Sequence, residues 1–170
     1  LKFWSGLGYY SRARNLLKAA KIIDKNFNCK IPNTYEELIV LPGVGDYTAK
    51  AILGIGYNKS VMPLDANIER ILARLYAFKE PLIKVKKNLF QKAQLFLSKK
   101  YSSNLIQSFM DYGSIICTPR NPNCLQCEIK KYCLGYQKNI QNTIPVKLKK
   151  IKSKPIKFSR AYVLINEKSE

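Results

Sequence analysis

Residues 41–53 read LPGVGDYTAKAIL, two glycines one residue apart followed at once by small and apolar side chains. Gly43 and Gly45 both permit positive φ and leave neighbouring backbone N–H groups unshielded by a Cβ. With a helix resuming beyond them, over Ala49 to Gly56, the amides of Gly43, Val44 and Gly45 can cradle a phosphate oxygen. A contact of that kind grips a nucleic-acid backbone whatever its base sequence. An ordinary helix–helix turn has the same composition, so the surrounding chain must decide.

On both sides the periodicity is helical. Upstream, Ser11 can cap a helix running to about Asp24, with Leu16, Leu17, Ala20 and Ile23 at core spacing. Thr34 and Glu37 form a capping box ahead of a short helix carrying Leu38 and Ile39. Downstream, Asp65 opens a helix whose buried face is Ile68, Ile71, Leu72 and Leu75. Two more helices are expected near Lys84–Ser98 and Ser103–Ile116, each apolar at three- and four-residue spacing. Helices flanking the two-glycine turn make residues 41–53 a helix–hairpin–helix signature in an all-α domain.

The chain carries thirty basic and eleven acidic residues, a net charge of +19, a pI near 9.8 and no histidine. Such a balance favours a polyanionic partner, although a merely basic composition also yields it. The 46% hydrophobic content is ordinary for a globular domain, and no run of eighteen apolar residues suggests a membrane span. Cys117, Cys124, Cys127 and Cys133 are spaced C-x6-C-x2-C-x5-C, which brings four thiolates to one metal centre. Zinc more often uses two CxxC pairs, and a compact run of four suits a cubane cluster. Clustered thiols fit a reducing, cytoplasmic setting better than disulfides. Cys29 stands apart and is expected to have no role.

From Lys138 the character changes. Residues 145–160 hold seven Lys or Arg, two Pro and no acid, which reads as a solvated basic linker over 138–160. Residues 161–166 resemble a strand too short to stand alone, the start of a second domain over 161–170. The helical domain is assigned to residues 1–137, and the chain is expected to be a fragment cut at both ends.

Four stretches in order, WSGLGYYSRARNLLKAA (4–20), LPGVGDYTAKAIL (41–53), PLDANIERILARLYA (63–77) and the Cys loop, resemble the MutY-type adenine DNA glycosylases. Those belong to the helix–hairpin–helix superfamily that also holds endonuclease III. The resemblance covers about Leu1 to Cys133, and the linker and strand resemble the join to that family's Nudix-like C-terminal domain. It implies base excision repair: hydrolysis of the N-glycosidic bond of adenine mispaired with 8-oxoguanine or guanine, by a monomeric enzyme working on double-stranded, nucleoid DNA. A 4Fe–4S cluster on the four cysteines is implied too.

Residue by residue, the resemblance makes Asp65 the catalytic carboxylate and Asn67 a positioning partner. Ala66 stands where the family usually has Gly. A helix-mouth Asp is also an ordinary N-cap, and the two roles are compatible; amides and dipole there favour its anion. An anion beside deoxyribose C1′ stabilises the positive charge that grows as the base leaves. Tyr47 occupies the position where endonuclease III-type lyases place a Schiff-base lysine, so a monofunctional, water-using enzyme is expected. Lys50 is one turn further on and is expected to face differently.

Tyr9, in the two-glycine segment GLGYY, corresponds to the aromatic that lies beside the opposing 8-oxoguanine and can wedge between bases; from composition alone Tyr9 and Tyr10 would be core aromatics. Arg12 and Arg14, and Arg120, Lys130 and Lys131 of the Cys loop, are candidate phosphate contacts. The family's general acid, a Glu upstream of GLGYY, is not within these 170 residues. Glu36 and Glu37 are explained by their capping box, and the fragment alone is expected to be inactive. A lyase acting on oxidised pyrimidines and a non-catalytic DNA-binding module are the rival readings.

Overall fold

The computed structural model describes residues 2–97 and 99–146, together with Phe158 and Arg160. The strand expected over 161–166 and the linker over 147–157 lie outside the described residues. Helices carry the fold: α1 (Tyr10–Phe27), α2 (Tyr35–Ile39), α3 (Asp46–Ala51), α4 (Ala66–Leu75), α5 (Leu82–Gln94), α6 (Ser102–Ile115) and α7 (Leu134–Gln137). Among the described residues there is no strand, only an isolated bridge between Pro81 and Val146, and no helix long and apolar enough to cross a membrane.

Two apolar cores organise these helices. The first gathers Ala19, Leu38, Leu41, Ala49 and Leu53 where α1, α2 and α3 meet. The second gathers Met62, Ile68, Leu72, Ala73, Val85, Leu89, Ala93, Ile106 and Ile144 where α4, α5 and α6 meet. The join is a π-helical turn, Ile52–Gly56, that continues α3 and packs on α6. Its signature is the bond from the Tyr57 amide to the Ile52 carbonyl, 3.1 Å, five residues apart. Gly54 permits the close approach, since a Cβ there would sit 2.5 Å from Ile106 Cδ1 and 2.6 Å from the Val61 carbonyl.

Several details depart from the sequence expectation. Ser11 does not cap α1; Tyr9 does, in the left-handed region and without a side-chain bond. The inward face of α1 is Ala19, Ile22, Ile23 and Phe27, whereas Leu16 and Leu17 are exposed. Ile23 packs inward as expected, but Leu16, Leu17 and Ala20 do not: the face turned to the hairpin and α2 is centred on Ala19 and Ile22 instead. The helix after the glycines begins at Asp46, three residues early, because Gly45 is an N-cap that lets the turn close at once. Lys138–Val146 does not leave the domain as solvated linker: Ile144 is buried, Ile140 packs on the second core, and Arg74 Nε donates to the Ile144 carbonyl at 3.0 Å.

Candidate active site and iron–sulfur loop

The hairpin is built as a tight turn on α2. The Val44 amide donates to the Leu41 carbonyl at 3.0 Å, and Val44 tucks against the first core. Gly43 has φ +82°, and a Cβ there would lie 2.9 Å from Asn15 Cβ on α1, so this position excludes any side chain. Gly45 is different: its φ is −99° and open space surrounds it. The expectation of positive φ at both glycines therefore holds for Gly43 alone. Gly45 leaves the mouth of α3 open, with no side-chain cap on the first-turn amides.

Asp65 sits at the mouth of α4. Its Oδ1 accepts the Ile68 amide at 2.7 Å and its Oδ2 accepts Asn67 Nδ2 at 3.2 Å. Both oxygens are thus held by donors, and the carboxylate is part-buried. Tyr47, on α3, is within reach of its charge: burial and the nearby Asp65 charge both push its phenol above the ordinary range. Glu69, one turn along α4, is raised by burial and by Asp65, against the opposing pull of Lys86. Lys50 does not turn away as expected. It lines the same notch as Tyr47, but its amine is occupied, 2.7 Å from Asp46 Oδ1 and 4.6 Å from the centroid of the Phe90 ring.

Behind Asp65 runs a chain of bonds into the Cys loop. Arg70 Nη2 donates to Asn67 Oδ1 at 2.9 Å and to the Gly113 carbonyl, while Nε donates to the Cys117 carbonyl at 2.7 Å. Gly113 makes room for it, because a Cβ there would lie 2.6 Å from Asn67 Cβ. Arg74, a turn further and almost fully buried, reaches the Thr118 carbonyl at 2.6 Å, the Pro119 carbonyl at 3.2 Å and Cys117 Sγ at 3.3 Å. Arg70, Arg74 and Gly113 escaped the sequence reading. The signal was present as two arginines four apart on a helix whose other inward positions are apolar.

The four thiols Cys117, Cys124, Cys127 and Cys133 line one chamber walled by Ile71, Leu75, Ile116 and Ile129. Burial, and then the charges of the other three thiols, push Cys124 up. Cys133 is raised chiefly by burial, against the pull of the Tyr136 and Gly135 amides. Uncompensated sulfurs in such a place repel one another as anions, and a cationic iron centre reverses that sign. Among the described residues no three ligand side chains converge tightly enough for one metal ion. Four sulfurs round a chamber walled largely by apolar side chains suit a polynuclear cluster, in which each thiolate takes its own iron. Tyr112 Oη points at Cys127 Sγ, 3.1 Å away. The residues present therefore fit an iron–sulfur cluster.

Tyr9 and Tyr10 are on the surface, Tyr9 80% exposed, contrary to the core placement that composition suggests. Gly6 and Gly8 are left-handed and so is Tyr9, at φ +46°, a conformation that costs a non-glycine residue about 1 kcal/mol. Trp4 Nε1 clamps the turn by donating to the Gly8 carbonyl at 2.9 Å. Arg12, Arg14 and Arg120 are exposed or half-exposed. Lys130 folds back onto the Leu125 carbonyl at 2.8 Å, and Lys131 lies over the Tyr132 ring, 4.9 Å from its centroid. Cys29 is exposed, its thiol donating to Asp24 Oδ1 at 2.9 Å.

Residues 1–99 match the family described as HhH-GPD superfamily base excision DNA repair protein. The chain belongs to that superfamily. Residues 117–133 of this HhH-GPD chain match the iron-sulfur binding domain of endonuclease III, so its cofactor is a 4Fe–4S cluster. Among curated proteins it is 41% identical over 139 residues to an adenine DNA glycosylase of Buchnera aphidicola subsp. Baizongia pistaciae (strain Bp), covering 82% of this chain and 40% of that protein. It is 36% identical to the adenine DNA glycosylase of Mus musculus, covering 81% and 27%. The chain thus spans less than half the length of these relatives. Among solved structures, a thermostable thymine-DNA glycosylase superposes with a TM-score of 0.65 at 28% identity, covering 74% of this chain and 58% of that one. A non-covalent endonuclease III–DNA complex gives 0.62 at 25% identity, covering 80% and 62%.

Proposed function

We propose that this HhH-GPD chain serves an adenine DNA glycosylase of base excision repair, acting on adenine opposite 8-oxoguanine or guanine in duplex DNA. The observation that carries the reading is the pair of donors holding the Asp65 carboxylate at the mouth of α4, its charge within reach of the hairpin residue Tyr47. Adenine DNA glycosylases among its relatives support the choice of base. The amides of Gly43 and Gly45 with the first turn of α3 face the phosphate backbone, the Val44 amide being held by the Leu41 carbonyl, and Arg12 and Arg120 add charge. Tyr9, lifted into solvent on its strained turn, stacks at the opposing base.

In this reading the C1′–N9 bond breaks with its electron pair leaving on adenine, which takes up a proton from a carboxylic acid. Asp65, part-buried and oriented by its two donors, stabilises the positive charge left on the sugar. Water then adds to C1′ and gives up a proton. Asn67 keeps the Asp65 carboxylate from rotating, and Tyr47 closes the cleft without offering an amine. Cys117, Cys124, Cys127 and Cys133 hold the cluster, which serves as a structural pin for the loop. Glu37 is bonded to Thr34 and is not the acid; the 170 residues by themselves are expected to release no adenine.

Asp65→Asn tests the centre of this reading. Asn caps a helix as well as Asp, so fold and DNA affinity should persist. Adenine release by the protein in its full natural length should fall on the order of 100- to 1,000-fold or more, the usual loss when a transition-state charge contact is removed. Unchanged turnover would remove Asp65 from the mechanism. Borohydride trapping separates the lyase alternative, since only an amine nucleophile gives a crosslink, and none is expected here.

A further inference from the structure

Between the hairpin and α5 lies an open notch of about 310 Å3, lined by Asp46, Tyr47 and Lys50 on one side and Lys86, Lys87 and Phe90 on the other. Leu64, the residue before Asp65 in the chain, is also part of its lining, which puts the notch next to the mouth of α4. Its one acid, Asp46, is already engaged by Lys50 at 2.7 Å and by Tyr35 Oη at 2.9 Å. Among the described residues Lys50–Asp46 is the only ion pair, which leaves Lys86 and Lys87 as a surplus of two positive charges in the notch. Lys86 draws down the pKa of both Asp46 on α3 and Glu69 on α4 without pairing with either. Lys86 and Lys87 line the notch from α5, across from Asp46, Tyr47 and Lys50 of α3. A charge run along a helix is by default a solvated face; two unpaired lysines facing a hairpin across a walled notch are a different arrangement.

Resting on the function proposed above, we infer that Lys86 and Lys87 of α5 form a second phosphate-binding wall opposite the hairpin, so that the strand bearing the target nucleotide is gripped on both sides of the sugar at Asp65. A nucleotide turned out of a duplex has a phosphodiester on each flank. The hairpin addresses one, and the notch, with room for roughly ten waters at liquid density, admits the other. Lys50 contributes field but not a free donor. The apolar faces of Tyr47 and Phe90 give the notch low-dielectric walls, which strengthen a lysine–phosphate contact relative to one in open water.

The test is a salt series of binding between the full-length protein and a duplex carrying an adenine mispair. Lys86→Gln/Lys87→Gln should lower the slope of log K against log salt by about 1 to 2, at about 0.9 for each phosphate left without its lysine. Lys99→Gln/Lys100→Gln, which removes the same charge away from the notch, should change it by less than half as much. Equal reductions in both variants would reduce the effect to net charge and overturn the inference, as would an unchanged slope for Lys86→Gln/Lys87→Gln. Inorganic phosphate at constant ionic strength should weaken DNA binding more in the native protein than in Lys86→Gln/Lys87→Gln; equal displacement from both would overturn the inference. If the native protein fails to bind duplex at all, the function proposed above falls first.

Discussion

In the proposed function Asp65 serves fold and chemistry together. As an N-cap it satisfies the Ile68 amide, while Asn67 holds its other carboxylate oxygen. Its neighbour Glu69 has the opposite character. Burial and the Asp65 charge raise its pKa, so the folded protein favours the protonated acid more than the unfolded chain does. Stability from this site is full below the ordinary carboxylate range and declines as pH rises through the folded value. Glu69→Gln should therefore raise the melting temperature slightly near neutrality, by about 1–3 °C, and the advantage should vanish in mild acid. A pH series of thermal melts checks the sign; a gain that grows on acidification would contradict it.

Helix α4 is the element that joins site to loop. Its first turn presents Asp65 and Asn67, its second places Arg70 on the Gly113 and Cys117 carbonyls, and its third sends Arg74 into the Cys loop. The angle between α4 and α6 depends on Gly113. Gly113→Ala puts a methyl 2.6 Å from Asn67 Cβ and 3.3 Å from Arg70 Nη2. The expected cost is about 1–3 kcal/mol, with adenine release falling more than DNA affinity because Asn67 is what shifts. Arg74→Met should lose more, at least ~3 kcal/mol, since three or more carbonyls are left without donors. Iron content per chain should drop with it. Denaturant unfolding and iron analysis read the two consequences separately.

At the scale of the whole molecule, two cores meet at the π-helical turn, and the cluster loop belongs to one of them. Leu38, Ala49 and Leu53 lie in the core of α1–α3; Gly135 and Ile144 close the other, Gly135 against the Arg74 backbone, where a Cβ would come within 2.6 Å of the carbonyl. Removing iron should therefore loosen residues 117–146 first. Hydrogen exchange is expected to quicken across that segment while the amides round Leu38 and Ala49 keep their protection. Uniform loss of protection over both cores would show that the loop supports the whole fold rather than its own half.

The all-α class, the hairpin, the Thr34 cap, the Asp65 helix and the metal loop were all legible in the sequence. Each is a local pattern: two glycines, a capping residue, an apolar period, four cysteines close together in the chain. The inward face of α1 was not legible. Which of two adjacent stripes turns inward depends on where α2 and the hairpin lie, and spacing alone does not say. The bonds from Arg70 and Arg74 to carbonyls 43 to 70 residues away were hidden for the same reason, as was the docking of 138–146. Nothing in the sequence marks Lys86 and Lys87; only the packing of α5 opposite the hairpin brings them to the notch. Chain-local chemistry set the parts; contacts between residues remote in sequence, visible only once the helices are packed, set which of those parts face each other across the cleft.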